Sequence, residues 1–357
     1  MLRIGVDSSK FGVLRGRPAV AVLEHAADRG LEGVYFRSVL ELSPDLEPAE
    51  VKDVMRAAHD LGQRVEAGVG KVNPFATPET PEIRALGDGD YLRGMRRMIE
   101  VAASAGIREL WTATANYQFR LPDRYAYDRF RTDVGWDEQL AATERFLHKL
   151  APVLRDLGVH LNIETHEEIT TFELVRLVEA VGPDVVGITF DTANVLMRCE
   201  DPVAAVERAA PYIRATHIRD AALFFTPAGI ARQLVPVGEG VLDWDRLLAP
   251  LAGRDLMLSV EGIVESTRGE MELQLYDPVW QEGHPDLTLA EAFEVVRLTT
   301  LYADRVSDGA AASREQLHRA VGEPESLAFI DRSAQHLRQI LARTAGQEPT
   351  PDRSWTA

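Results

Sequence analysis

Thiols are nearly absent from the chain: Cys199 is the one cysteine in 357 residues. That excludes an intrachain disulfide and any thiolate metal cluster, so metal chemistry here has to use imidazole and carboxylate ligands. Long apolar runs are missing too, since no stretch approaches the roughly 18 uninterrupted apolar residues that a membrane helix needs. Met1-Leu2-Arg3-Ile4-Gly5-Val6 enters a strand-like run without the basic-then-apolar pattern of a signal peptide. A cytoplasmic location without membrane contact is therefore expected. Positive charge is scarce: 39 Lys and Arg against 56 Asp and Glu leave a net charge of −17. Such a field repels phosphate backbones and argues against nucleic acid as a partner.

What is present is an alternation. Short runs rich in Val and Ile recur between longer segments of helical period, the pattern of repeated β-α units around a parallel sheet. Strands are expected at Arg3–Asp7, Gly33–Arg37, Arg64–Val69, Glu109–Thr112, His160–Glu164, Val186–Asp191, Arg214–Ile218 and Leu256–Glu261. Helices are expected at about 18–29, 47–61, 90–105, 136–157, 169–180, 201–212, 243–251 and 287–303. Several end in glycine, as at Gly30, Gly62, Gly106 and Gly158, where a left-handed residue closes the last turn. Eight such units close most simply into a (β/α)8 TIM barrel, and no G-x-G-x-x-G follows the first strand to favour an open dinucleotide-binding sheet. The barrel is expected over 1–304, a helical C-terminal extension over 305–345 and a disordered tail over 346–357. Long loops at Lys71–Gly89, Ala115–Asp133, Asp220–Gly240 and Gly262–Asp286 all follow strand C-termini, the face that carries active sites in barrels. Their aromatic residues, among them Tyr117, Phe119 and Phe225, read either as loop core or as the lining of a pocket.

Strands five to eight finish in Glu164, Asp191, His217 and Glu261. Apolar strands that each end in a chelating group at one mouth would bury unpaired charge unless something binds there. Three carboxylates and one imidazole suit Mn²⁺ first, with Mg²⁺, Co²⁺ or Zn²⁺ also compatible. His166 stands two residues beyond Glu164, on the same side of an extended chain. It reads as a general base or a donor to a substrate hydroxyl, against the plainer reading of a loop histidine bonded to Glu167 or Glu168. Lys10, Lys71 and Arg219 also follow strand ends and could bind a sugar oxygen or phosphate.

These residues resemble the xylose-isomerase-like TIM barrels of sugar-phosphate isomerases and epimerases. The carriers are Asn-Ile-Glu164-Thr-His166, Phe-Asp191-Thr-Ala-Asn194, His217-Ile-Arg219-Asp220, Val237–Trp244 and Ser-Val-Glu261-Gly. The resemblance implies one divalent ion held by Glu164, Asp191, His217 and Glu261, and a segment at Val237–Trp244 that closes over the site. Ketose 3-epimerases carry a substrate-binding His three residues after the metal Asp and an Arg six after the metal His; here those places hold Asn194 and Leu223. The extra ligands of the three-metal DNA-repair endonucleases are not found before Glu164. The opening Gly5-Val6-Asp7-Ser8-Ser9-Lys10-Phe11 and the long aromatic loops are similar to the large subunit of C-glycoside deglycosidases, which implies elimination from 3-keto-glycosides and a small β-subunit as partner.

The expected activity is removal of a proton beside a carbonyl on a sugar, with His166, Glu164 and Glu261 as catalytic groups and Asn194, Arg219, Lys71, Tyr117 and Phe225 as substrate contacts. Elimination from a glycoside is set slightly ahead of isomerisation, epimerisation or dehydration of a sugar, inosose or sugar phosphate. A homo- or hetero-oligomer is expected. A barrel that has kept its fold as a binding scaffold is the competing class, against which the intact quartet speaks.

Overall fold

The β-branched and leucine-rich runs form the strands expected of them. The computed structural model describes residues 1–76, 81–115, 117–118, 120–263, 270–319 and 321–345. Eight parallel strands close a barrel: β1 (Arg3–Asp7), β2 (Gly33–Phe36), β3 (Arg64–Gly68), β4 (Glu109–Thr112), β5 (His160–Glu164), β6 (Val186–Asp191), β7 (Ile213–Ile218) and, after two further strands, β10 (Met257–Val260), which pairs with both β7 and β1. All six residues of β6 are buried, as a strand covered on both faces requires. Around the ring run α1 (Ala19–Asp28), α2 (Pro48–Asp60), α3 (Pro81–Leu86), α4 (Tyr91–Ser104), α5 (Trp136–Leu157), α6 (Thr171–Val181), α7 (Pro202–Ala209) and α8 (Trp244–Leu248). Gly158 closes α5 at φ 61°, the left-handed conformation anticipated for it.

Two of the four long loops contain strands the sequence did not announce. β8 (Asp220–Thr226) and β9 (Gly229–Val235) form a hairpin around Pro227-Ala228, and β11 (Met271–Leu273) pairs antiparallel with β9. The turn lacks the Asn-Gly or Asp-Gly signature of a tight hairpin, and every residue of β9 is buried, so no polar alternation marks it. α9 (Pro278–Glu282) and α10 (Leu289–Ser307) follow. α10, expected as the eighth barrel helix, packs instead on β8, with Tyr302 edge-on to Phe224 at 5.3 Å.

The segment read as an appended extension takes the place beside the closing strands. After α11 (Arg314–Leu317), α12 (Glu323–Ala345) packs against β1 and β10. It sends Phe329, Ile330, Ala334, Leu337 and Ile340 into the barrel core, and Arg29 pairs with Asp331 at 2.7 Å. Phe119 and the tail at 346–357 lie outside the described residues.

One core carboxyl makes stability depend on pH. Burial, reinforced by Glu109, pushes Glu66 up to about 7 in spite of Arg64 at 3.0 Å. Between the ordinary carboxylate range and pH 7 the folded chain holds a proton that the unfolded chain has lost, so stability falls as pH rises through that window. Glu66→Gln keeps the neutral form at all pH values. It should raise stability by about 1–3 kcal/mol at pH 8.5, because each pH step between the unfolded and folded titration points is worth about 1.4 kcal/mol, and leave it nearly unchanged at pH 5. Thermal unfolding of both proteins at the two pH values checks this.

Candidate active site

Strand register brings the quartet to one mouth. Asp191 lies opposite His217, and His217 opposite Ser259, two residues before Glu261. The Glu261 N–H donates to Ile218 O at 3.0 Å, fixing that strand end against β7. Glu164, Asp191, His217 and Glu261 are all buried, and each offers a ligand atom within 4.8 Å of the others. Two carboxylates at that spacing repel by roughly 3–4 kcal/mol at an effective dielectric of 20.

In this structure side-chain cations compensate that repulsion. Arg219 forks onto Asp191 Oδ2, with Nε at 2.8 Å, and reaches Glu261 Oε2 at 3.1 Å. Glu261 Oε1 receives Arg37 Nη2 at 2.7 Å and Lys10 Nζ at 3.4 Å. Burial works against the Glu261 charge, but Arg219, Lys10 and Arg37 hold its carboxyl well below the usual range. Asp191 is pushed the other way, up to about 6, by burial and by the charges of Glu164 and Glu261, although Arg219 opposes the shift. His217 Nδ1 lies 2.9 Å from Glu164 Oε1 and 3.6 Å from Glu261 Oε2. Tyr35 and Trp111 form the floor: the Tyr35 ring is 4.6 Å from that of His217, and Trp111 Nε1 donates to Glu164 Oε2 at 3.0 Å. Three buried carboxylates and an imidazole, drawn together by cations borrowed from neighbouring strands, form a donor set that fits a divalent metal ion.

A chain of hydrogen bonds positions His166 beside this cluster. Thr114 Oγ1 donates to Glu168 Oε1 at 2.5 Å, Glu168 Oε2 lies 2.5 Å from His166 Nδ1, and Glu167 Oε2 lies 2.9 Å from the same nitrogen. Both the loop-histidine contacts and a place near the quartet are therefore present. Burial opposes protonation of His166, yet Glu167 and Glu168 outweigh it and raise its pKa well above the usual histidine range. With Nδ1 donating to carboxylates, Nε2 is the atom left for a substrate; among the described residues it has no partner.

The other expected substrate residues divide. Asn194 is buried behind Asp191; its Oδ1 accepts from Arg232 Nη1 at 2.9 Å, and among the described residues its Nδ2 has no partner. Lys71 holds its ammonium 4.7 Å over the Trp111 ring, next to the mouth. Tyr117 packs edge-on to Tyr127 at 5.2 Å and feels the charge of Glu167, so it is loop core and near the site at once. Phe225 is not brought to the quartet. It stands five residues along β8 from Asp220, about 17 Å of strand, and is 50% exposed near the hairpin tip. In Val237–Trp244, Gly238 N and Trp244 Nε1 both donate to Asp220 Oδ2, at 2.9 and 2.8 Å, and that buried carboxylate pins the segment. Asp7 and Arg37 were missed although they too sit at strand ends, with Arg37 Nε 3.1 Å from Asp7 Oδ2. Arg232 was missed because it belongs to the unrecognised hairpin.

A model of the family described as xylose isomerase-like TIM barrel matches residues 23–295. The chain belongs to this family. Over 211 residues it is 26% identical to the protein YihM of Escherichia coli strain K12, covering 57% of this chain and 62% of YihM. The match to a 3-oxo-isoapionate decarboxylase of Pectobacterium atrosepticum is also 26%, over 64% of this chain and 70% of the enzyme. An inosose dehydratase of Geobacillus kaustophilus is 27% identical over 38% of this chain and 47% of that enzyme. The chain thus spans less than two thirds of YihM and under half of the dehydratase in these matches. Among solved structures, a D-allulose 3-epimerase from Methylomonas sp. superposes with a TM-score of 0.56 at 17% identity, over 95% of this chain and 98% of the epimerase. The 3-keto-D-glucoside 4-epimerase YcjR of E. coli gives 0.55 at 16%, over 84% of this chain and all of YcjR. At these identities the superpositions describe the fold.

Proposed function

We propose that this barrel is a divalent-metal-dependent lyase that removes the proton beside the keto group of a 3-keto-glycoside and expels the substituent β to it, in the manner of a C-glycoside deglycosidase α-subunit. The observation that carries the reading is His166, oriented through Nδ1 by Glu167 and Glu168 with Nε2 left for a substrate, beside the four-ligand cluster. Glu164, Asp191, His217 and Glu261 would hold the ion, Mn²⁺ by preference. A bound divalent cation would stabilise the negative charge that develops on the carbonyl oxygen as the neighbouring proton leaves. Glu164 or Glu261 takes the carbon-bound proton, and the electron pair of the C–H bond moves onto the carbonyl oxygen. When that pair returns, the bond to the β substituent breaks, and the His166 Nε2–H protonates the departing group. Keto substrates in the names of the decarboxylase, the dehydratase and YcjR support this class of chemistry. A small β-subunit, an oligomeric assembly and a cytoplasmic location belong to the same reading; among the described residues no helix is long and apolar enough to cross a membrane.

A second reading rests on a separate observation: Glu164 and Glu261 flank His217, and two carboxylates on opposite sides of a carbon would epimerise or isomerise it. Incubation of the manganese-loaded protein with a 3-keto aryl glucoside separates the two. Elimination releases the free aglycone, seen by chromatography, whereas an intact glycoside of altered ring configuration would replace the lyase with an epimerase.

A further inference from the structure

The balance of charge around the quartet bears on the substrate itself. Six buried carboxylates surround the mouth: Asp7, Glu164, Glu167, Glu168, Asp191 and Glu261. Five basic side chains face them. Lys10 and Arg37 contact Glu261, Arg219 contacts Asp191, Arg232 reaches Asn194 and feels Glu167 and Asp191, and Lys71 lies in the field of Glu168 and Glu164. Before any charge on the two histidines is added, this set carries −1, and a divalent cation turns it to +1. A neutral sugar that displaced water from the mouth would leave that charge uncompensated in a low-dielectric site, an expensive arrangement, whereas an anionic one would cancel it.

The five cations are not equivalent. Arg37 and Lys10 lie 2.7 and 3.4 Å from Glu261, Arg219 forks onto Asp191, and Arg232 Nη1 donates to Asn194 Oδ1. Lys71 differs: among the described residues no carboxylate lies within ion-pairing distance of it, and its ammonium stands 4.7 Å over the Trp111 ring. Trp111 in turn donates to Glu164 Oε2. The ammonium is thus one indole away from the metal ligands, partly buried, and unclaimed by a counter-ion. An ammonium over an indole face keeps its hydrogen-bond donors for a further acceptor.

We propose that the substrate carries an anionic group, a carboxylate or a phosphate, and that Lys71 receives it while the quartet addresses the carbonyl end. This rests on the metal-dependent reading above. The full chain is loaded with Mn²⁺, its metal content is measured, and it is titrated calorimetrically with 5-keto-D-gluconate, D-fructose 6-phosphate and uncharged D-fructose at low and high salt. At least one anion should bind about tenfold or more tightly than fructose, with a preference that shrinks as salt rises; whichever of the two binds more tightly identifies the carboxylate or the phosphate as the group. Lys71→Met should erase most of that preference with manganese content unchanged, and Lys71→Arg should retain it. Manganese bound with no preference for either anion, or with no detectable binding of either, overturns the inference and leaves the metal reading standing. A preference that survives in Lys71→Met overturns the assignment to Lys71. Failure of the wild-type chain to hold manganese overturns both.

Discussion

Asp191→Ala should bind manganese more than about 10²-fold more weakly than the wild-type chain, a loss beyond the 10–100-fold that follows removal of an outer support. Asp191 lies opposite His217 in the strand register and its carboxylate is one of the four convergent donors. Alanine removes a ligand outright and also takes from Arg219 its Asp191 partner, leaving its pair with Glu261. His217→Ala should behave alike, since the imidazole touches both Glu164 and Glu261. Neither change should unfold the barrel. Both side chains stand at its mouth, and the interior is built from apolar layers such as Val6, Leu110, Ile163 and Leu258. Circular dichroism together with metal analysis checks the pair. Stoichiometric manganese in both variants would refute the quartet.

His166→Gln should retain manganese and lower aglycone release by about 10²–10⁴-fold, the usual scale for a lost acid-base group. The neutral amide cannot deliver a proton to a departing group, but it leaves the carboxylates that take the carbon-bound proton in place. Hydrogen-deuterium exchange at the carbon beside the carbonyl should therefore persist in this variant while release collapses. A purely structural histidine would not divide the two readouts in that way. Loss of metal would make His166 a ligand, and unchanged release would return it to the role of a loop histidine held by Glu167 and Glu168.

The barrel was legible because its strands are buried on both faces and read as continuous apolar runs: His160–Glu164 and Val186–Asp191 begin and end where their composition says they should. The quartet was legible for a related reason, since a chelating side chain that ends an apolar strand stands out against it. The hairpin at Asp220–Val235 was not. Ala-Ala-Leu-Phe-Phe and Ile-Ala-Arg-Gln-Leu-Val carry no period-two alternation, and Arg232 and Gln233, fully buried, look like surface residues in a linear reading. α12 was legible as a helix but its packing partner was not, because helical period shows which side chains a helix buries but not against what. Phe329, Ile330, Ala334, Leu337 and Ile340 make a sound apolar stripe, yet only the closed ring shows that the gap beside β1 and β10 receives it. Phe225 was expected at the site from its neighbourhood in sequence, and a strand that runs outward from Asp220 carries it away.

Proton NMR of the manganese-loaded protein in D₂O with a panel of 3-keto-glycosides, inososes and ketoses tests the central claim most directly. The account predicts loss of the signal from the hydrogen beside the carbonyl of at least one keto substrate, at a rate that Asp191→Ala abolishes. No exchange with any member of the panel by a chain that holds its manganese, or equal exchange by Asp191→Ala, would contradict it.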